Sequence, residues 1–143
     1  MARKLKKSRG PDLRCKCGSG KEYDVCCEPF HQESEFASSP LELLRTRYCA
    51  YAVGDADYII KTTDPDGSAW WHDEAAWRAH TRTFSKGANF LGFRVISEDI
   101  GEERGTLKFK ALIKQGAKDI SMVETSQFIK KDGRWLYHSG IVH

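Results

Sequence analysis

Four cysteines lie close together near the start of the chain, and they constrain the fold more than any other feature of the sequence. Cys15 and Cys17 are separated by one residue, and Cys26 and Cys27 follow after eight more. A set of thiols this close in sequence can supply four sulfur ligands to one tetrahedral Zn²⁺, at about 2.3 Å each. So short a segment buries too little apolar surface to fold alone, and we therefore expect a bound metal to stabilise it.

The loop between the two cysteine pairs has a composition that suits a metal site. Gly18 and Gly20 allow tight turns on either side of Ser19, so main-chain N–H groups can face the thiolates. Lys16 and Lys21 are placed to offset the negative charge that four thiolates leave on a bound Zn²⁺.

His31 is an alternative metal ligand. Cys26 and Cys27 are adjacent, with Cα atoms about 3.8 Å apart, and both have to turn toward the same ion. His31 offers a ring nitrogen in place of one of them. Two other interpretations of the cysteine cluster remain open, namely a pair of disulfides in an extracellular protein and a reactive redox dithiol.

The charge of the chain is concentrated at its start. Eight of the 23 Lys and Arg residues lie within residues 1–21, against Asp12 as the one acidic residue there. Residues 1–14 carry almost no apolar side chains, so we expect a disordered basic tail. Such a tail either binds the phosphates of a nucleic acid or serves solubility alone.

The same segment gives an expectation about location. No apolar run of signal-peptide length follows the basic start, and the mean hydropathy of −0.57 is too polar for a membrane protein. We expect a cytoplasmic protein with no membrane span and with reduced thiols.

Helix signals dominate the middle of the chain. Ser39 has the properties of an N-cap, with apolar residues at helical spacing over about 40–53. Asp55 can cap a second, shorter helix, and Asp73 a third that ends at Gly87.

From about residue 90 the pattern changes to alternation, which predicts four strands joined by short glycine-containing turns. The clearest strand alternates buried and polar positions through Leu107, Phe109, Ala111 and Ile113. Helices followed by a curved antiparallel meander make an α+β domain.

Two polar residues fall on an otherwise apolar strand face. Glu124 and Ser126 share the parity of Ile120, Met122 and Phe128. A buried carboxylate needs a partner, so Glu124 is a candidate acid or base of an interior pocket. The possible pocket lining comprises Trp70, Trp71, His72, Trp77, His80, Trp135 and Tyr137. The alternative is a structural ion pair between Glu124 and an arginine of the first helix, Arg45 or Arg47.

The cysteine segment resembles the SEC-C motif, a small zinc-binding module found in the SecA translocation ATPase and in many other bacterial proteins. The resemblance rests on Cys15-Lys16-Cys17-Gly18-Ser19-Gly20-Lys21, then Tyr23, then Cys26-Cys27. It implies that Cys15, Cys17, Cys26 and Cys27 bind one structural zinc ion. The SecA module is implicated in contacts with the chaperone SecB and the ribosome, which implies interaction rather than catalysis.

Nearly the whole chain beyond the tail is similar to the YchJ-type proteins of bacteria, a family without an assigned activity. The similarity rests on Leu44-Arg45-Thr46-Arg47-Tyr48, Ala50-Tyr51, Gly54-Asp55-Ala56-Asp57-Tyr58, Glu124, Ser126, Phe128 and Asp132-Gly133-Arg134-Trp135. It implies a nuclear transport factor 2-like body, a cone of helices on a strongly bent antiparallel sheet. The expected organisation is a tail (1–14), a SEC-C motif (15–31), a linker (32–38) and an α+β domain (39–143).

Together these features predict a non-enzymatic adaptor protein whose zinc module contacts a protein or ribosomal partner. A closed shell of four sulfurs leaves no position for a reacting water, which argues against metal catalysis. The alternatives are a small-molecule binder or enzyme that uses the interior of the cone, and a nucleic-acid binder that uses the tail. The outer face of the sheet is a possible homodimer interface.

Overall fold

The computed structural model describes residues 13–143, and the first twelve residues of the predicted basic tail lie outside this range. A 3₁₀ turn, Tyr23–Val25, precedes four helices: α1 (Glu28–His31), α2 (Pro40–Val53), α3 (Ala56–Lys61) and α4 (Glu74–Gly87). Five strands follow: β1 (Asn89–Ile100), β2 (Arg104–Gln115), β3 (Lys118–Asp119), β4 (Met122–Lys131) and β5 (Arg134–Val142). No helix in the described part of the chain is long and apolar enough to cross a membrane.

The three longer helices begin at the predicted N-caps. The Ser39 hydroxyl accepts the main-chain N–H of the third residue of α2 at 3.1 Å. Asp55 and Asp73 do the same for α3 and α4, at 3.1 and 3.0 Å. Each cap satisfies a donor that the first helical turn would otherwise leave free.

The strands form one antiparallel sheet in the order β1-β2-β4-β5, which confirms the predicted meander. The short strand β3 extends the turn after β2, with Lys114 opposite Asp119. A segment of this length shows no alternation, so the sequence pattern did not predict it. Register shifts at Phe90/Gly92, Val95/Ser97 and Gln127/Phe128 mark irregular pairing, and such bulges bend a sheet and increase its twist.

The main core lies between α2 and the inner face of the sheet. Leu43, Leu44 and Tyr48 of α2 pack with Leu107 and Phe109 of β2. A second cluster, built around Tyr58, Ile59 and Trp77, joins α3 to α4. The helices therefore cover one face of the sheet, as the alternation along β2 predicts.

The chain after α3 is fastened to β5 through a buried carboxylate. The Asp64 main-chain N–H donates to the Tyr137 carbonyl at 2.8 Å, and the Asp64 side chain is fully buried. Lys131 Nζ donates to Asp64 Oδ1 at 2.6 Å, and His138 Nδ1 lies 2.9 Å from Oδ2. Burial would raise the pKa of Asp64, but the hydrogen bonds from Lys131, the Asp66 N–H and His138 outweigh it and lower the pKa to about 2.

The first prediction concerns this carboxylate. Asp64→Asn leaves Lys131 without its buried counter-charge, so we expect a loss of about 1–3 kcal/mol in the free energy of unfolding at neutral pH. Because the folded pKa is depressed, the wild-type contribution is complete above the unfolded pKa near 3.9 and is lost as pH falls toward 2. Urea unfolding between pH 2 and 7 measures both effects.

Asp66→Asn is the matched control, since Asp66 also bonds Lys131, at 2.7 Å, but is exposed. Its expected cost is below about 0.5 kcal/mol. Equal losses in the free energy of unfolding for the two variants would contradict the prediction that the burial of Asp64 makes its charge more important to stability.

Candidate functional site

The four cysteines of the predicted metal site come together in the folded chain. The Sγ atoms of Cys15, Cys17, Cys26 and Cys27 all lie within 4.8 Å of one another, and all four residues are buried. A tetrahedral ion with bonds of about 2.3 Å to sulfur requires sulfur atoms about 3.8 Å apart. The distance from Cys17 Sγ to Cys26 Sγ is 3.6 Å. All five cysteines of the chain are free thiols, so the arrangement fits one metal ion rather than disulfides.

The glycine-containing loop places its main-chain donors at the sulfurs, as its composition predicts. Gly18 and Gly20 have φ of 88° and 85°, a region that residues with a Cβ rarely adopt. The turns direct the N–H of Cys17 toward the Cys15 thiol and the N–H of Ser19 toward the Cys17 thiol.

A guanidinium from α2 lies against three of the four sulfur atoms. Arg45 Nη1 lies 3.0 Å from Cys26 Sγ, 3.4 Å from Cys27 Sγ and 3.7 Å from Cys17 Sγ. Its fixed positive charge compensates the negative charge that four thiolates bring to a divalent ion.

The two lysines that the sequence suggests for the same task lie at the surface of the loop. Lys16 and Lys21 are exposed, and among residues 13–143 neither ammonium group contacts a sulfur atom. Arg45 lies in α2, well beyond the loop in sequence, so the local composition of the loop could not indicate it.

A fifth sulfur borders the site. Cys49 is 0% exposed in α2, and its Sγ lies 3.5 Å from Cys15 Sγ. Cys49 is therefore buried against the other four sulfurs. Arg45 and Cys49 are four residues apart and therefore share one face of α2. That spacing is the signal that could have assigned both to the site.

Proton affinity is unequal among the thiols. The pKa of Cys17 is lowered, first by a hydrogen bond from the Cys27 thiol and then by Ser19 and Arg45. The pKa of Cys27 is raised, first by hydrogen bonding with the Cys17 and Cys49 thiols and then by burial. Cys17 therefore becomes a thiolate, the form that binds metals, more readily than Cys27 does.

His31 lies outside the sulfur cluster. Its side chain is 2% exposed, and burial lowers its pKa, so the ring is neutral at pH 7. Nε2 donates to the Thr46 carbonyl at 2.8 Å, and Nδ1 accepts from the Tyr23 hydroxyl at 2.6 Å. With both nitrogens occupied, His31 is a buried bridge between the cysteine segment and α2 and not a metal ligand.

The second feature is a cavity of about 340 Å³ between α2, α4 and the inner face of the sheet. It contains six of the predicted pocket residues: Trp71, Trp77, His80, Glu124, Ser126 and Tyr137. The remaining three lie elsewhere. Trp70 packs edge-on against Trp77 at 5.0 Å, Trp135 belongs to the buried core, and His72 is exposed.

A hydrogen-bonded carboxylate forms the polar part of the cavity. Glu124 Oε2 accepts from the Ser126 hydroxyl at 2.5 Å and from the Tyr137 hydroxyl at 2.7 Å. Burial, followed by the neighbouring Glu124, raises the pKa of Tyr137, so the phenol keeps its proton and donates. Gly140 makes room for this pair, because a Cβ there would collide with the Tyr137 hydroxyl and the Glu124 carboxylate.

The predicted ion pair between Glu124 and an arginine of α2 is wrong. Arg45 lies on the sulfur cluster, and Arg47 Nη1 donates to the Ile59 carbonyl at 3.0 Å and to Thr63 Oγ1 at 3.1 Å. No ion pair formed within residues 13–143 includes Glu124. Residues two apart on a helix point to nearly opposite sides, so the two arginines serve different parts of the molecule.

Comparison with known protein families identifies the family to which this architecture belongs. The family model for the middle nuclear transport factor 2-like domain of YchJ matches residues 39–140. The chain belongs to the YchJ family. This confirms the family resemblance and the fold class that the sequence implies.

Solved structures show how far the likeness extends. A SEC-C motif containing protein from Rhodopseudomonas palustris is 38% identical to this YchJ-family chain, with a TM-score of 0.75 over 90% of this chain and 98% of that one. A SEC-C motif containing protein from Psychrobacter arcticus is 23% identical, with a TM-score of 0.70 over 92% and 82% of the two chains.

The fold alone is shared more widely. A putative calcium/calmodulin-dependent protein kinase type II association domain from Thiobacillus denitrificans is 13% identical, with a TM-score of 0.59 over 76% of this chain and 96% of that one. At this identity the likeness concerns the fold and not the function.

The second prediction separates the four clustered cysteines from the fifth. We expect the purified YchJ-family protein to carry about one metal ion per chain. Cys27→Ser removes one of four thiolates and should release the ion, whereas Cys49→Ser should retain it, because Cys49 lies beside the cluster and outside it. Elemental analysis together with thiol titration measures both. Equal metal contents in the two variants, or oxidised thiols in the native protein, would contradict this assignment.

Proposed function

We propose that this YchJ-family protein binds a small, mostly apolar molecule in the cavity between α2, α4 and the sheet, with Glu124 as the polar contact. The observation that carries the proposal is the Glu124 carboxylate, held by two hydroxyls in a cavity whose other walls are largely aromatic and aliphatic.

The dimensions and chemistry of the cavity support binding. Ligand sites commonly enclose about 300–1,000 Å³, with apolar walls and a few convergent polar groups, and this cavity of about 340 Å³ has that composition. Trp71 and His80 line it and are exposed, so the cavity is accessible from solvent. A carboxylate in such a place costs desolvation energy, which an apolar side chain would avoid.

We further propose that the ion of the cysteine cluster is one structural zinc. Four thiolates are a donor set that zinc favours, and a closed shell leaves no position for a reacting water. In the reducing cytoplasm, which we propose as its location, these thiols stay available to the metal. The zinc would hold the cysteine segment against α2, whose Leu44, Tyr48 and Tyr51 line the cavity.

The third prediction tests the cavity by filling it. Ala111→Met places a longer side chain in the cavity and should abolish saturable binding of indole, a neutral aromatic probe. Ala75→Met makes the same substitution at an exposed position of α4 and should leave binding unchanged. Amide NMR spectra report the fold of each variant and the residues that indole perturbs. The cavity would be excluded as the binding site if indole perturbed amide signals scattered over the surface. The same would follow if Ala111→Met bound indole as the wild type does.

A second candidate function is suggested by apolar side chains on the cysteine segment itself. Leu13 is 61% exposed and Val25 is 68% exposed, next to a site that the metal would make rigid. By resemblance to the SecA module, we propose that this surface contacts the ribosome. Exposed apolar residues on a rigid support are typical of interaction sites.

The fourth prediction tests this contact by sedimentation. Val25→Ser should lower the fraction of the protein that co-sediments with purified ribosomes, because it removes an exposed apolar contact. Val53→Ser, at an exposed position at the end of α2, is the control and should have no effect. The second candidate is abandoned if the wild-type protein does not co-sediment, or if both variants behave alike.

A further inference from the structure

We infer that the ligand of the cavity is a cationic amine on an aromatic or aliphatic body, with its ammonium group bound by Glu124. The inference rests on the proposed function, since it names the class of molecule that the cavity takes. It is carried by the hydrogen bonding of the Glu124 carboxylate and by the rings around it.

One carboxylate oxygen is saturated, while the other accepts no hydrogen bond within the described residues. Oε2 receives the hydroxyls of Ser126 and Tyr137, and no donor among residues 13–143 reaches Oε1. A carboxylate offers about four acceptor positions, so at least half of this capacity is unused. Since Glu124 borders the cavity, a ligand that donates hydrogen bonds supplies the donor that Oε1 lacks.

The two hydroxyls also determine which hydrogen-bonding groups the ligand meets. Both Ser126 and Tyr137 donate to Glu124, and donors stabilise the ionised carboxylate. Their protons are committed to Oε2, so they offer none to an incoming acceptor. The polar end of the cavity therefore presents negative charge.

Aromatic walls favour a positive ligand charge as well. Trp71 and Trp77 stack with ring centroids 6.3 Å apart, and Tyr51 contacts Phe84 edge to face at 6.3 Å. All four of these residues line the cavity. The faces of such rings attract an ammonium group by cation–π interaction while the rings pack against its apolar body.

The basic side chains that line the cavity together with Glu124 are Arg47 and His80. The Arg47 guanidinium lies over the Tyr137 ring, 4.5 Å from its centroid, and donates to oxygen atoms at the end of α3. These acceptors are neutral, and within residues 13–143 the guanidinium forms no ion pair with Glu124. An anionic ligand would be repelled by the Glu124 carboxylate. A neutral ligand without a donor would remove water from Oε1 and give no hydrogen bond in return. An ammonium group avoids both the repulsion and the unsatisfied acceptor.

The fifth prediction compares three probes of nearly equal shape: phenethylamine, 2-phenylethanol and 3-phenylpropionate. At neutral pH the amine should bind the wild-type protein about tenfold or more tightly than the alcohol, because a charged hydrogen bond replaces a neutral one. Glu124→Gln should abolish this preference and leave the affinity for the alcohol within about twofold. Glu98→Gln, at an exposed position of β1, is the control and should bind as the wild type does.

The outcomes distinguish this inference from the proposed function. Equal affinities of the wild-type protein for amine and alcohol at the cavity would overturn the amine inference and leave the proposed function standing. Tightest binding of 3-phenylpropionate would overturn it in favour of recognition by Arg47. Failure of all three probes to perturb the cavity amides would remove both proposals. The comparison of amine with alcohol uses the unmodified protein, so it decides the question even if Glu124→Gln does not fold.

Discussion

The hydrogen bonds from Arg45 to the sulfur atoms connect the two parts of this molecule. They run from the first long helix to Cys26 and Cys27, and they bring a fixed positive charge to a cluster of thiols. The same helix buries Cys49 against the cluster and receives a hydrogen bond from His31 at the Thr46 carbonyl. The cysteine segment therefore packs directly against α2. A metal bound to the cysteines would stabilise this helix, which also forms one wall of the cavity.

The interior contains two carboxylates in contrasting states. Asp64 is buried with Lys131 and His138 as partners, so its charge is compensated and its role is to fasten the chain to β5. Glu124 has hydroxyl partners only, and no described cation pairs with it. Glu124 is half-buried, and holding a charge partly out of water without a counter-ion is expensive. This difference separates a structural carboxylate from one that is available to a ligand, and it is the physical basis of the proposed binding function.

Much of this architecture is readable from the sequence, because it is encoded locally. The caps at Ser39, Asp55 and Asp73, the alternation along β2 and the spacing of the clustered cysteines each depend on neighbouring residues. Contacts between distant segments were missed: Arg45 and Cys49 at the sulfurs, and Asp64 under β5. Strand parity placed Glu124 and Ser126 in the cavity but could not separate Tyr137 from Trp135, because these two residues are two apart on β5 and share one face of the sheet. Which of them lines the cavity depends on how the helices cover that face.

Gly140 shows how a residue without a side chain can record the chemistry of its neighbours. It lies opposite Ser126 in the sheet, and its missing Cβ is the space in which the Tyr137 hydroxyl meets the Glu124 carboxylate. Any larger residue would separate these two groups. In the sequence of a relative, glycine at this position together with Glu and Tyr at the other two would indicate a cavity that keeps its acidic end. A bulkier residue in place of the glycine would indicate a lineage that has lost the hydrogen-bonded pair of Glu and Tyr.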